Sequence, residues 1–280
     1  MNVRGGHVTS DPSNGDAVAG PTTPLPFRPR IACLGSSSPR AQAALAELSE
    51  RYDFVGPDEC DVIVALGGDG FLLHTMHEHI ALGRPIFGMN RGTVGFLMNA
   101  YHADSLGARV AAAVPIWVHP LELTATTADG VASRAIAFNE VAVTRHSGQS
   151  VHMRISIDGV ERIAAFVGDG VIVATAAGST AYNLSAHGPI IPLGSNLLAV
   201  TPVCPFRPRR WRGALVPHTA HITFENLDPH KRPLAATADF HELFDVVSMA
   251  VQEDALTEVQ LLFDPDHSLE DRIIAEQFLT

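Results

Sequence analysis

The run from Asp61 to Leu66 most constrains the fold of this chain, because every residue after the first is apolar. A strand with one face in water alternates polar and apolar residues, whereas an unbroken apolar strand is typical of a parallel sheet covered on both faces. The run ends in Gly67-Gly68-Asp69-Gly70, and residues 71–82 then predict a helix that stops at Gly83. A buried strand, a glycine turn and a helix together indicate an α/β domain.

The segments on either side repeat this order. Residues 31–34 are a short buried strand candidate, and Ser38-Pro39 offers an N-cap followed by proline at the first helical position. Residues 85–90 form a third strand candidate after the predicted helix. We therefore predict an α/β nucleotide-binding domain with a parallel sheet over residues 30–117. Residues 1–29 are rich in Gly, Pro, Ser, Thr and Asp without an apolar period, which predicts a disordered extension.

The hydrophobic period changes from about residue 118 onward. Residues 151–157 alternate apolar and polar side chains, and Asp158-Gly159 predicts a hairpin turn into the next strand. Further strand candidates follow at 170–174, 221–225, 246–251 and 259–263. We predict a β-rich C-terminal domain over residues 118–264. Residues 265–280 contain a capping-box-like Ser268-Leu269-Glu270-Asp271, and we expect them to return as a helix that packs on the first domain.

Composition and charge exclude several classes of protein. The formal net charge of −11 argues against nucleic-acid binding, which depends on many Lys and Arg contacts to phosphates. No stretch approaches the ~18 apolar residues of a membrane span, and the N-terminus has no apolar core of a secretory signal. Three cysteines are too few for a disulfide framework, so we expect a cytoplasmic protein. An acidic chain would need backbone N–H groups, a few arginines or a divalent metal to bind a polyphosphate.

The Gly67-Gly68-Asp69-Gly70 turn lies where ligands bind in open α/β sheets. Glycine allows an anion to approach the backbone, and the N–H groups at a helix N-terminus face such an anion. Asp69 cannot attract a phosphate, so it would accept a proton from a hydroxyl group or hold a metal. A tight turn in which Asp69 caps the helix is the alternative interpretation, and the motif alone does not choose between them.

Two later segments carry groups suited to a nucleoside. Asn139-Glu140 places an amide beside a carboxylate, and such a pair can bind the two hydroxyls of a ribose. Residues 168–185 read as a strand, a turn of small residues and a helix start, where Thr180, Tyr182 and Ser185 could line a flat ring. A surface dipeptide and a Ser/Thr-capped helix are the structural alternatives.

These motifs, in this order and completed by GSTAYNLSAHGP at residues 178–189, resemble the NAD kinase family over about residues 31–280. The resemblance implies a two-domain fold with an α/β N-terminal domain and a β-rich C-terminal domain. It also implies transfer of a phosphoryl group from ATP to the 2′-hydroxyl of the adenosine ribose of NAD, giving NADP. NAD and ATP would be the substrates, a divalent metal, expected to be magnesium, would arrive with ATP, and the chain would form a homodimer or homotetramer.

The resemblance also implies roles for individual residues. Asp69 would be the catalytic proton acceptor, and no residue would hold a resident metal. The glycines of the phosphate loop would be Gly67, Gly68 and Gly70. The residues that bind NAD would be Asp69, Gly70, Asn139, Glu140, Asp169, Ala177, Thr180, Ala181, Tyr182, Asn183, Leu184 and Ser185.

The chain departs from the family pattern in three places. Val167 replaces an arginine found in many members, Ala176 replaces a proline, and Asp239-Phe240 stands where an Asp-Gly turn is common. Without that arginine, the chain lacks one anion contact that the resemblance would imply.

Other interpretations stay open from the sequence alone. A lipid kinase of the GGDG type and a non-catalytic NAD(P)-sensing protein are the alternative functions. His74, His77 and Glu78 have helical spacing that would suit a zinc site only with further ligands. The arginine run from Arg207 to Arg212 suits a solvated loop or a subunit contact, and less well a phosphate site.

Overall fold

The computed structural model of the protein describes residues 28–93 and 95–265. The predictions for the N-terminal extension up to residue 27 and for the helix after residue 265 lie outside the described residues.

The first part of the chain alternates strands and helices, as its hydrophobic pattern predicts. Its elements are β1 (Ile31–Gly35), α1 (Pro39–Ser49), β2 (Val62–Gly67), α2 (Asp69–His79), β3 (Ile86–Asn90), α3 (Leu106–Ala112) and β4 (Val114–Val118). Helix α1 begins at the predicted place, because the Ser38 side chain accepts a hydrogen bond from the Ala41 N–H and Pro39 occupies the first helical position. The last turn before Gly83 is a 3₁₀ turn, and Gly83 ends it with a left-handed φ of 58°.

The remainder of the chain is almost entirely β structure. Its elements are β5 (Leu121–Thr127), β6 (Ala132–Ala137), β7 (Glu140–Arg145), β8 (Val151–Ile157), β9 (Val160–Gly168), β10 (Gly170–Ala174), α4 (Tyr182–Ser185), β11 (Leu197–Val203), β12 (Ala214–Pro217), β13 (Ile222–Asn226), β14 (Leu234–Ala238), β15 (His241–Glu253) and β16 (Val259–Phe263). Helices α1 and α2, with 11 residues each, are the longest described. Within the described residues, no helix is long and apolar enough to span a membrane.

The first sheet has the order β1-β2-β3-β16-β4, and only β4 is antiparallel to its neighbour. All six residues of β2 are buried, which confirms the prediction from its apolar run. Helices α1 and α3 cover one face through Leu48 and Leu106, and α2 covers the other through Leu72 and Met76. The parallel sheet with helices on both faces agrees with the predicted fold class.

Strand β16 belongs to this first sheet, whereas its position in the chain led us to assign it to the β-rich domain. The Asn99 amide donates to the carbonyls of Gly88 (3.0 Å) and Leu262 (2.9 Å), and its oxygen accepts from the Asp264 N–H (2.8 Å). Asn99 is fully buried, so these bonds hold β16 beside β3. An apolar strand pattern does not specify which sheet the strand joins, so the sequence alone could not place β16. The chain returns to the first sheet at residue 259, and not at residue 265 as predicted.

The second sheet has 11 strands and is antiparallel throughout. Its central path runs β12-β11-β10-β7-β14-β15-β13-β8-β9, with β5 on β15 and β6 on β5. The predicted hairpin between β8 and β9 is confirmed, and its two turn residues Asp158 and Gly159 have φ of 54° and 74°. Val167 in β9 pairs with Arg207, so the loop between β11 and β12 lies against the end of β9.

One hydrophobic cluster joins the two parts of the molecule. Phe138 and Ala177 from the β-rich part pack in the same cluster as Leu72, Met76 and Met98 of the first part. The two parts therefore meet along α2, the helix that follows the glycine turn.

Candidate active site

The glycine turn places Asp69 at the first residue of α2. Gly68 is the N-cap and makes no side-chain bond, so the alternative in which Asp69 caps the helix is not what the structure has. The Asp69 carboxylate instead accepts the N–H groups of Phe96 (2.8 Å) and Leu97 (3.0 Å). A carboxylate held through both oxygens keeps one orientation. Gly70 beside it is exposed, with open space where a Cβ would lie.

Gly67 shows why the turn needs a small residue. A Cβ at this position would lie 2.6 Å from the Cβ of Phe71, so strand β2 can pass into α2 this tightly only without a side chain. The predicted turn of glycines is therefore a close approach of the strand to its own helix.

The loop from Phe138 to Glu140, called the NE loop below, leads into β7 and is held by one side chain. The Asp239 carboxylate accepts the N–H groups of Phe138 (2.7 Å), Asn139 (3.0 Å) and Glu140 (3.2 Å). It also lies 2.7 Å from Nε2 of His77, and its side chain has no exposed surface. The backbone of Asp239 is left-handed, with φ of 51°, a conformation that Asp adopts more readily than most residues.

Glu140 occupies an unusual environment for a carboxyl group. Burial first, and then the negative charge of Asp239, raise the pKa of Glu140 from 4.5 to about 7, although the N–H of Tyr182 opposes the rise. Its Oε2 atom is buried without a hydrogen-bond partner among the described residues. A buried acceptor of this kind is costly unless something donates to it, so a ligand hydroxyl would find a ready partner here.

The turn after β10 packs directly on the NE loop. The Thr175 hydroxyl donates to the carbonyl of Phe138 (2.6 Å) and accepts the N–H of Gly178 (3.0 Å), and the Thr175 N–H donates to the carbonyl of Asn139 (2.9 Å). A Cβ on Gly178 would lie 2.1 Å from that carbonyl oxygen of Asn139. The NE loop and the turn within residues 168–185 are therefore in backbone contact.

The residues of the 177–185 segment differ in their exposure to solvent. Tyr182 is 41% exposed and Ser185 is exposed, whereas Thr180, Ala181 and Leu184 are half-buried. The buried ones include Ala177 and Asn183.

Asn183 points away from this surface. Its amide donates to the carbonyls of Ser179 (3.1 Å) and Pro189 (2.9 Å), and its oxygen accepts the Thr201 hydroxyl at 2.6 Å. Both of its N–H groups are used internally, so the side chain of Asn183 holds the turn together.

Asp169 lies apart from the other predicted site residues. It precedes β10, whereas the 175–185 segment follows that strand, and its carboxylate pairs with Arg145 at 2.9 Å. Five strand residues at about 3.3 Å each place the two ends of β10 roughly 16 Å apart. The structure thus brings the NE loop and the 177–185 segment together and packs both against the helix that follows the glycine turn, but it leaves Asp169 apart.

Several sequence candidates have other roles. No three His, Cys, Asp or Glu side chains of residues 28–93 and 95–265 are grouped to hold a metal ion. His74 instead stacks on Phe240, with ring centroids 4.4 Å apart. In the arginine run, the guanidinium groups of Arg207 and Arg209 lie over the Phe206 ring.

Asp239 and His77 are the site residues that the sequence analysis did not identify. The Asp239-Phe240 pair was visible only as a departure from the family pattern, and His77 only as one of several histidines on a helix. The signal that could have found Asp239 was an acidic residue between two strands, followed by an aromatic residue in place of glycine.

Both halves of the chain match models of one family. The model of the ATP-NAD kinase N-terminal domain matches residues 35–111, and that of the C-terminal domain matches residues 138–242. A protein named NAD kinase from Xylella fastidiosa is 52% identical over 250 residues, which are 89% of this chain and 96% of that protein. The NAD kinase of Caulobacter vibrioides is 52% identical over 255 residues, or 91% and 98% of the two chains.

Two solved structures share the fold. A yeast NADH kinase complexed with NADH superposes with a TM-score of 0.75 at 22% identity, covering 91% of this chain and 87% of that one. An NAD kinase from Archaeoglobus fulgidus in complex with ATP gives a TM-score of 0.67 at 22% identity, covering 88% and 98%. The predicted two-domain fold is thereby confirmed.

The contact between Gly178 and the NE loop can be tested by adding one methyl group. We expect Gly178→Ala to lower the free energy of unfolding by at least about 2 kcal/mol, because the methyl meets backbone atoms that cannot turn aside. Gly107→Ala in α3 is the matched control, since nothing lies within 4 Å of its Cβ position and alanine favours a helix. Urea unfolding of both variants measures the difference, and equal stabilities would contradict the packing described.

The buried Glu140 carboxyl should make stability depend on pH. Because its folded pKa is raised, the folded state holds the proton more tightly than the unfolded chain. Wild-type stability is therefore lost as pH rises from about 4.5 through about 7. Glu140→Gln has no such proton to lose. The difference in free energy of unfolding between Glu140→Gln and wild type should therefore shift in favour of the variant by on the order of 3 kcal/mol between pH 4.5 and a pH above 7.

Thermal or urea unfolding of wild type and Glu140→Gln across this pH range makes the measurement. A pH-independent difference for Glu140→Gln would mean that the carboxyl is not buried as described.

Proposed function

The chain belongs to the ATP-NAD kinase family, and we propose that it transfers the γ-phosphoryl group of ATP to the 2′-hydroxyl of the adenosine ribose of NAD, giving NADP. Family models that match both halves of the chain support an NAD kinase, a phosphotransferase with an alcohol group as acceptor, over a lipid kinase of the GGDG type. A non-catalytic sensor would have no need of a base, and Asp69 is retained.

The observation that carries the mechanism is the position of Asp69. Its carboxylate is half-buried, oriented by the N–H groups of Phe96 and Leu97, and placed at the N-terminus of α2 beside the exposed Gly70. Asp69 would orient the 2′-hydroxyl of NAD and accept its proton as the phosphoryl group transfers. The backbone of Gly68 and of the exposed Gly70 would receive phosphate oxygens, whereas Gly67 is buried against Phe71 and would serve the turn itself.

Asn139 and Glu140 would bind the acceptor ribose. The unpartnered Oε2 of Glu140 supports this role, because an ionised carboxylate can accept hydrogen bonds from ribose hydroxyls. Since the pKa of Glu140 is raised to about 7, NAD affinity should increase as pH rises through that value. Ala177, Thr180, Ala181, Tyr182, Leu184 and Ser185 would line the dinucleotide. Asn183 is fully buried and would act only by holding the turn together.

The phosphoryl donor would enter as a complex of ATP with a divalent metal, for which we propose magnesium. A net charge of −11 gives the protein little positive field for a triphosphate, so the ion would neutralise the donor's charge. The three cysteines of the chain, Cys33, Cys60 and Cys204, are free thiols, which supports a cytoplasmic location.

We propose a homodimer or homotetramer in which Asp169 serves the site of another copy. Asp169 lies at the far end of β10 from the 177–185 segment, which favours a role in the site of another copy over a place beside the 177–185 segment of its own chain. A second copy could present Asp169 from outside, and closed symmetry would then give every copy the same arrangement.

Replacement of Asp69 tests the proposed base. Asp69→Asn keeps an oxygen for one of the two N–H donors, and leaving the other unpaired should cost roughly 1–3 kcal/mol of stability. The loss of a proton acceptor should lower kcat by about 10²–10⁴-fold, whereas the Kd for NAD should change far less. Thermal melting and calorimetry establish folding and NAD binding first. If kcat decreased by less than about tenfold, Asp69 would not be the proton acceptor, and the family assignment would still hold.

Mixing two inactive variants tests the shared site. Asp69→Asn subunits carry an intact Asp169, and Asp169→Ala subunits carry an intact Asp69, so random mixed dimers should restore about a quarter of wild-type sites. Co-expression with two different tags, followed by a coupled NADP assay, gives the measurement. Full activity of Asp169→Ala alone, or no recovery on mixing, would place Asp169 outside the partner's site.

A further inference from the structure

A hydrogen bond crosses between the two parts of the molecule at His77. His77 lies on α2, eight residues or about 12 Å along the helix from Asp69. Its Nε2 atom is 2.7 Å from the carboxylate of Asp239, which precedes β15. The side chain of His77 is 9% exposed and that of Asp239 is fully buried, so neither is placed to touch a substrate.

Asp239 passes this contact on to the NE loop. Besides accepting from Phe138, Asn139 and Glu140, it donates its own N–H to the carbonyl of Glu140 at 3.1 Å. The loop therefore takes its position from Asp239, and Asp239 is joined by His77 to the helix that begins at Asp69. The proposed base and the proposed ribose-binding pair are thus connected through helix α2 and the buried hydrogen bonds of Asp239.

Aromatic rings pack on His77, and both side chains of the pair are largely shielded from water. The His77 ring meets Phe138 edge-on at 5.1 Å and Phe240 at 4.7 Å. The titratable groups that face the pair are Glu140 on the NE loop, His241 with its ring 6.1 Å from that of His77, and His74 behind Phe240. A hydrogen bond in such a dry setting is strong, and leaving one partner unpaired is costly.

We propose that His77 and Asp239 are a positioning pair, which holds the NE loop in register with Asp69 so that the acceptor ribose meets the base. This role rests on the proposed function. It follows from the geometry, because no other described hydrogen bond joins α2 to the NE loop through side chains. Displacement of reacting groups by about 1 Å can cost on the order of 100-fold in rate, so a small shift of the loop should be visible in catalysis.

The same pair bears on the charge state of Glu140. The negative charge of Asp239 is one cause of the raised pKa of Glu140, after burial. Asp239→Asn removes that charge, and His77→Phe leaves it in place. The two substitutions should therefore loosen the same loop but affect the ionisation of Glu140 differently.

The kinetic test compares two substitutions at residue 77. His77→Phe keeps an aromatic ring but removes the donor, so kcat should decrease and KM for NAD should increase, each by about tenfold or more, with KM for ATP nearly unchanged. His77→Gln keeps an N–H that can reach Asp239 and should restore most of the activity. His74→Phe, which keeps the stack on Phe240 without touching Asp239, is the matched control and should behave as wild type.

Hydrogen exchange tests the positioning without reference to catalysis. The amides of residues 138–140 should exchange about tenfold faster or more in His77→Phe than in wild type, because their acceptor is no longer held. The pH at which NAD affinity changes should fall in Asp239→Asn and stay in place in His77→Phe. Unchanged exchange together with unchanged KM for NAD in His77→Phe would overturn the proposal. If the wild-type protein lacked NAD kinase activity and His77→Phe still exchanged faster than wild type, the proposed function would be wrong and the positioning role would stand.

Discussion

The buried carboxylate of Asp239 is the interaction on which the site depends. It accepts hydrogen bonds from three backbone N–H groups of the NE loop and contacts the imidazole of His77, groups that would otherwise bond to water. A fully buried charge is tolerated only when it is satisfied by such donors. Because the donors come from a loop of the β-rich part and from a helix of the α/β part, satisfying this one charge also fixes where the two parts meet.

A backbone contact with the turn after β10 also holds the NE loop in place. The turn at Thr175 and Gly178 lies on the Asn139 carbonyl with no room for a side chain, and Glu140 is enclosed between that turn and Asp239. The enclosed carboxyl is left with one oxygen unpartnered. The cost of that arrangement is an ordinary feature of binding sites, where a ligand supplies the missing hydrogen bond.

The local elements of this protein could be predicted from its sequence, but their partners could not. The apolar run of β2, the Ser38 cap of α1 and the Asp158-Gly159 hairpin each depend on neighbours in the chain, and each was found. The pairing of β16 with β3 and the bonds of Asp239 join residues more than 90 positions apart, and a local pattern carries no information about them. The three motifs identified the walls of the site through family resemblance, whereas the residue that assembles them lay in a turn that departs from the family pattern.

The place of β16 in the first sheet has a consequence for how the molecule is made. During synthesis, β3 leaves the ribosome with one edge incomplete, and β16 joins that edge only after residue 263 has emerged. Until then, Asn99 pairs with this edge at Met89, but the edge at Ile86 lacks its strand partner and the sheet lacks β16. The two halves therefore mature together rather than one after the other, and the nascent chain must protect an open parallel edge for most of its translation.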